Sequence, residues 1–206
     1  MTAEVTHLRS DARDNRDRIL EVARAAFATE GLDVPMREIA RRAEIGPATL
    51  YRRFPTKEAL VVEAFREQMG ACDTIIDAAL ADPDPWRGFC TFIEQLFELH
   101  ALDRGFTAAF MSAYPNALDF TAGRNASLLR VAELAARARA EGGLRADFVL
   151  EDLLLMIMGN SGLRTSSPEA AVAASRRFAA LAIEAFRASG SSAALPPPAR
   201  VSLTRS

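Results

Sequence analysis

The sequence predicts an all-α protein of about nine helices, arranged as a small N-terminal helix-turn-helix domain and a larger helical domain. Three observations carry this. Apolar residues recur at three- and four-residue spacing along most of the chain, and no stretch alternates apolar and polar residues as a half-buried strand would. Glycine and proline fall where helices should stop or start, at Gly31, Pro47, Pro85, Gly142 and Pro168. One segment, residues 36–60, has the composition of two short crossing helices followed by a third.

Residues 1–13 are polar and mixed in charge, and are expected to form a mobile arm. From Asp14 onward Ile19, Leu20, Val22, Ala23, Ala26 and Phe27 share one face of a helix that ends at Gly31. Residues 36–43 form the next helix, with Ile39, Ala40 and Ala43 inward and Arg37, Glu38, Arg41 and Arg42 outward. The run Glu44-Ile45-Gly46-Pro47 cannot simply continue that helix. Gly46 tolerates unusual backbone angles, and Pro47 suits a first helical position, where its missing N–H loses nothing. A second short helix, 47–54, buries Leu50 and Phe54. Pro55 and Thr56 stop it, and Thr56 can cap a helix that opens at Lys57-Glu58.

Two short helices that cross steeply need a small residue at the contact and an apolar residue in the turn. Ala40 and Ile45 supply them, which is the physical specification of a helix-turn-helix whose second helix enters the DNA major groove. With Leu50 and Phe54 committed inward, Pro47, Ala48, Tyr51 and Arg52 lie on the outer side, with Thr49 and Arg53 on the flanks. Arg52 can pair with guanine O6 and N7, and Ala48 can touch a thymine methyl. Tyr51, Arg53 and Lys57 would reach phosphates, which position a protein without reading sequence. The candidate DNA-contacting residues are therefore Arg37, Gly46, Pro47, Ala48, Thr49, Tyr51, Arg52, Arg53 and Lys57. Arg41, Arg42, Arg52, Arg53 and Lys57 together predict a local basic face.

Residues 14–66 resemble the DNA-binding domain of the tetracycline-repressor (TetR) family of bacterial transcription regulators. The matching pieces are Arg18-Ile19-Leu20 with Ala23, Phe27 and Gly31, then Arg37-Glu38-Ile39-Ala40, and then the continuous run from Thr49 to Leu60, the most specific of the three. The chain departs from the family at two places. Members usually carry glycine in the turn, where this chain has Glu44, and often serine or threonine at the recognition-helix cap, where it has Gly46. Glu44 is thus expected to accept the turn conformation at some cost.

Beyond the head, one long helix is predicted from Lys57 through Val61, Phe65, Met69, Cys72, Ile76 and Leu80, linking the two domains like a lever. In the family it resembles, this helix transmits ligand binding to the spacing of two reading heads. Asp82-Pro83-Asp84-Pro85 is the clearest break, and helices follow over roughly 86–99, 104–114, 121–141, 150–159 and 168–188. The last two are expected at a subunit interface. The 150–159 helix is apolar nearly all round, and the 168–188 helix is Ala-rich, which permits close approach. An internal core pair is the alternative. The domain boundaries read 1–13 for the arm, 14–66 for the DNA-binding domain, 67–188 for a ligand-binding and dimerisation domain, and 189–206 for a Ser/Ala/Pro tail expected to be disordered.

The formal net charge of −2 excludes a protein that coats nucleic acid non-specifically. No apolar run is long enough for a membrane span and no signal peptide opens the chain, so a cytoplasmic protein with no membrane partner is expected. The two cysteines, Cys72 and Cys90, lack metal spacing and read as small core residues. With two histidines, no Gly-rich phosphate loop and no nucleophile beside a base, neither a catalytic site, a metal site nor a cofactor is expected.

Aromatic residues concentrate in the middle helices: Phe65, Trp86, Phe89, Phe92, Phe97, Phe106, Phe110, Tyr114 and Phe120. They suit either an ordinary core or a pocket for a small apolar or aromatic effector. The candidate pocket residues are Phe65, Met69, Trp86, Phe89, Ile93, His100, Phe110, Tyr114, Asn125 and Asn160. The resemblance implies a homodimeric repressor that binds an inverted-repeat operator in double-stranded DNA and is released when a small molecule binds. A helical ligand-binding protein with a degenerate DNA-binding head stays open as the alternative.

Overall fold

The computed structural model describes the backbone of residues 2–111, 118–189 and 195–197, and side chains over 15–103, 105–111, 124–189 and 195–197. Among the described residues the fold is all-α, with one isolated bridge between Leu144 and Arg187. Ten helices follow in order: α1 (Thr2–Glu30), α2 (Met36–Arg42), α3 (Pro47–Arg53), α4 (Lys57–Ala64), α5 (Arg66–Ala81), α6 (Pro85–Leu102), α7 (Arg104–Met111), α8 (Leu118–Ala140), α9 (Leu150–Ser161) and α10 (Pro168–Phe186). Tyr114 and most of the 189–206 tail lie outside the described residues, and Phe120 is described in its backbone alone.

Local chemistry sets most helix ends. Gly31 and Gly142 close α1 and α8 with positive φ values of 80° and 77°. Asp84 caps α6 by accepting from the Arg87 N–H at 2.9 Å, and Pro85 occupies the first turn. Ser167 caps α10 by accepting from the Ala170 N–H at 3.2 Å. Asp152 reaches back to accept from the Val149 N–H at 3.0 Å at the start of α9. Two expectations change. The arm expected over 1–13 is helical from Thr2, because helix propagates cheaply once nucleated and the stretch holds neither glycine nor proline. The single helix expected over 57–80 is two, so the helices number ten rather than nine among the described residues.

The break at Phe65 has a tertiary cause. Phe65 is fully buried, with its ring 6.0 Å from Phe27 of α1 and 6.0 Å from Phe106 of α7. The Arg24 guanidinium of α1 donates to the Ala64 carbonyl at 3.2 Å, so that oxygen has a partner outside its own helix. α7 approaches α1 closely here. A Cβ on Gly105 would stand 3.0 Å from the Ala28 nitrogen and 3.1 Å from Phe65 Cζ. The head and body are therefore packed through α1, α4 and α7.

α6 is the centre of the larger domain, packed by α5, α7, α8, α9 and α10. Its Phe89, Phe92, Ile93, Leu96 and Phe97 are all buried. Phe89 meets Phe148 and Phe186 edge-on at 5.5 and 6.3 Å, and Trp86 stacks on it at 5.9 Å.

Candidate nucleic-acid interface and effector site

In the head, α2 and α3 cross on Ala40, which is fully buried, while Ile45 fills the turn and its N–H donates to the Ala40 carbonyl at 3.0 Å. The turn needs a left-handed residue, and Glu44 supplies it with φ 55°, the only non-glycine positive φ among the described residues. Gly46 precedes α3 in extended conformation with no side-chain cap. Leu50 and Phe54 are buried, which aims the opposite side of α3 at solvent. Gly46, Pro47, Ala48, Tyr51 (47% exposed) and Arg52 are exposed there, with Thr49 and Arg53 half-buried beside them and Arg37 exposed on α2. Thr56 caps α4 by accepting from the Ala59 N–H at 3.1 Å. That cap sets Lys57 in the first turn of α4, half-buried, its pKa lowered by burial against the opposing pull of Asp33 and Glu58.

The expected basic face is narrower than composition suggests. Arg41 is held by Glu38 at 2.7 and 2.9 Å, and Arg42 is shared between Glu38 at 2.8 Å and Glu30. The hydrogen bonds from Arg41, then Arg42, hold the Glu38 carboxyl down to about 2. Arg42 braces α2 against the end of α1, while Arg41 pairs within α2. The outward cationic and hydroxyl groups are instead those of Arg37, Tyr51, Arg52, Arg53 and Lys57. Arg16 of α1 pairs with Glu63 of α4.

A model of the family described as "Bacterial regulatory proteins, tetR family" matches residues 19–64, the stretch that builds this head. A crystal structure of the TetR transcriptional regulator SCO0520 from Streptomyces coelicolor is 28% identical, covering 85% of this chain and 99% of that one with a TM-score of 0.52. The chain belongs to the TetR family of bacterial regulatory proteins. The HTH-type transcriptional repressor KstR of Mycolicibacterium smegmatis is 39% identical over 77 residues, 36% of this chain. That match spans 38% of KstR's own length. The ketosteroid regulator KstR2 of Mycobacterium tuberculosis, 19% identical, shares the fold over 84% of this chain and 94% of its own, with a TM-score of 0.66.

The pocket candidates separate once placed in the TetR fold. Phe65, Phe89 and Ile93 are enclosed in the core, and Met69 is half-buried on α5. Trp86 is half-buried and pinned from outside by the Arg187 guanidinium, 5.2 Å over its ring. Asn125 is exposed on α8, turned away from the other candidates, because helical phase puts its neighbour Arg124 inward instead. Tyr114 lies outside the described residues. His100, Phe110 and Asn160 do converge. His100 stacks on Phe106 at 5.1 Å and meets Phe110 edge-on at 5.4 Å, and it lines a small notch together with Asn160.

Burial pushes the His100 imidazole down to about 3, so it is neutral at physiological pH. Thr107, which sequence reading did not single out, orients the ring through a 2.8 Å contact with Nδ1. Beside the notch runs an open groove of about 370 Å³ lined by Phe27 and Ala28 of α1, Thr107 and Met111 of α7, and Met158 and Ser161 of α9, among others. It borders the DNA-reading domain directly. The thiols are inert by comparison: burial raises Cys72 to about 12 and Cys90 to about 11.

Proposed function

We propose that this TetR-family chain is a ligand-responsive transcription regulator that represses by binding an inverted-repeat operator as a homodimer. The observation that carries the reading is the outward side of α3. Pro47, Ala48, Tyr51 and Arg52 face solvent on a short helix whose other side is locked by Leu50 and Phe54. A recognition helix needs that division, and a merely structural hairpin gains nothing from an exposed tyrosine beside an exposed arginine. The contact roles follow from chemistry: Arg52 reads guanine, Ala48 meets thymine, Pro47 packs against the DNA backbone, and Arg37, Thr49, Tyr51, Arg53, Lys57 and the Gly46 N–H position α3 on phosphates.

Dimerisation is supported by exposed apolar residues on the last two helices. Leu155 (43%) and Leu181 (55%) stand out on α9 and α10, where small alanines would let a second copy approach. An effector in the groove between α1, α7 and α9 would release DNA by preferring a conformer with badly spaced heads, and its effect is limited by that preference. An apolar or aromatic body fits Phe27, Met111 and Met158.

The test is selection of bound duplexes from a random pool at about 150 mM salt. An enriched inverted repeat, with half-site centres about 10 base pairs or a multiple apart, is expected. Arg52→Ala should relax preference at one symmetric position, at a cost of about 1–3 kcal/mol. Lys57→Ala should weaken all duplexes alike and reduce the salt slope by about one. A flat pool, or equal loss for both variants on every sequence, refutes the reading of α3.

A further inference from the structure

Two buried side chains at the notch leave an atom without a partner, and both of those atoms are acceptors. His100 is fully buried with Nε2 unpartnered, and Asn160 is 2% exposed with Oδ1 unpartnered. The proton positions follow from their neighbours. Thr107 Oγ1 lies 3.1 Å from the His100 carbonyl and 3.1 Å from the Asp103 carbonyl, which can only accept. We assign its hydrogen to one of these carbonyls, which places its lone pair toward Nδ1 at 2.8 Å and the imidazole hydrogen on Nδ1. Nε2 is then a bare lone pair. Asn160 Nδ2 donates to the Phe97 carbonyl at 2.8 Å, which fixes the amide orientation and leaves Oδ1 as its free end.

The notch is lined by His100, Ala101, Asn160, Ser161, Leu163 and Ala171, with room for about one non-hydrogen group. Ser161 is no donor to it, since its hydroxyl already gives its hydrogen to the Met158 carbonyl at 2.8 Å. One turn along α10 from Ala171, Ser175 is fully buried with its hydroxyl unpartnered. Leaving such atoms bare is unfavourable, because each gives up its hydrogen bonds to water and gains none in return. None of the lining side chains carries a charge, so an ammonium would be buried without a counter-charge, and a carboxylate would face lone pairs.

We propose that the His100–Asn160 notch is a subsite for a neutral hydrogen-bond donor, either a carboxamide NH2 with one hydrogen each for His100 Nε2 and Asn160 Oδ1 or a hydroxyl whose single hydrogen the two atoms share. Ser161 borders both the notch and the neighbouring groove, so the donor would be the head of a molecule whose apolar body lies against Phe27, Met111 and Met158. The inference rests on the effector reading above and specifies its chemistry. Water, with a hydrogen for each acceptor, is the other donor, and it would occupy the notch when no effector is present.

The experiment uses full-length protein with ¹⁵N-labelled histidine. There are only two histidines, and His7→Gln assigns them. Cyclohexanol, cyclohexanone and cyclohexanecarboxylate are titrated while the His100 Nε2 shift is followed. Cyclohexanol should move it saturably, at a concentration at least about tenfold below either other probe, because only it can donate to both acceptors without charge. Nδ1 should stay protonated throughout, and Asn160→Leu should abolish the preference. Equal response to the ketone or carboxylate, or an Nε2–H tautomer, overturns the proposal. So does a shift that no probe moves, because the notch would then hold a structural water only.

Release of operator is measured separately with the same probes. Binding of cyclohexanol without DNA release keeps the subsite and removes its regulatory role. DNA release by cyclohexanone or cyclohexanecarboxylate with the Nε2 signal unmoved keeps regulation and removes the subsite.

Discussion

Replacing Glu44 by glycine should stabilise this protein. Glu44 holds φ 55°, where a side chain brings Cβ against the following carbonyl at a cost of roughly 1–2 kcal/mol. Its side chain is exposed and its backbone bonds are those of the turn: its N–H donates to the Arg41 carbonyl at 3.1 Å, a bond glycine keeps. Glycine costs about 0.4–1 kcal/mol through the greater freedom of the unfolded chain. The difference between the midpoints of these ranges is a gain of about 0.8 kcal/mol. For a chain of this size that is a rise of roughly 1–4 °C in Tm. Denaturation without DNA is the assay, since removing an acid near the interface would also alter DNA affinity. Glu44→Ala serves as control, because it removes the charge and keeps the Cβ. If alanine stabilises as much as glycine, or glycine gives no gain, the backbone argument is wrong.

Other outcomes follow from particular contacts. Gly88→Ala should destabilise by about 1–3 kcal/mol in denaturant unfolding, because its Cβ would stand 2.5 Å from the Ala79 carbonyl where α5 meets α6. A net gain from helix propensity would mean that the two helices separate easily. Glu38→Gln should flatten the acid limb of stability. The Glu38 pKa is depressed on folding from 4.5 to about 2, so its contribution is complete above the unfolded value and is lost as pH falls through that interval. A variant with an unchanged acid limb in a pH series of melts would refute the role given to the Arg41–Glu38–Arg42 brace.

The reading head was legible in the sequence because its determinants are local. Ala40, Ile45, Leu50 and Phe54 lie within fifteen residues, and their spacing alone decides which side of α3 faces out. Helix ends at Gly31, Pro85, Gly142 and Pro168 were readable for the same reason, since backbone freedom or a missing N–H acts where the residue stands. The turn conformation of Glu44 also followed from position within the motif.

What the sequence could not determine depends on groups far apart along the chain. The break at Phe65 comes from Arg24 and from a ring wedged between Phe27 and Phe106, while the local pattern continues smoothly through it. Counting arginines overstated the basic face, because Glu38 engages Arg41 and Arg42 within α2, and Glu30 reaches Arg42 only once α1 and α2 have packed. Asn125 and Asn160 looked equivalent as polar residues among apolar helices. Only packing turned one to solvent and buried the other beside His100, 60 positions away, with Thr107 supplying the hydrogen bond that fixes the ring. Periodicity records which side of a helix is apolar, and it carries no information on which helix that side will meet.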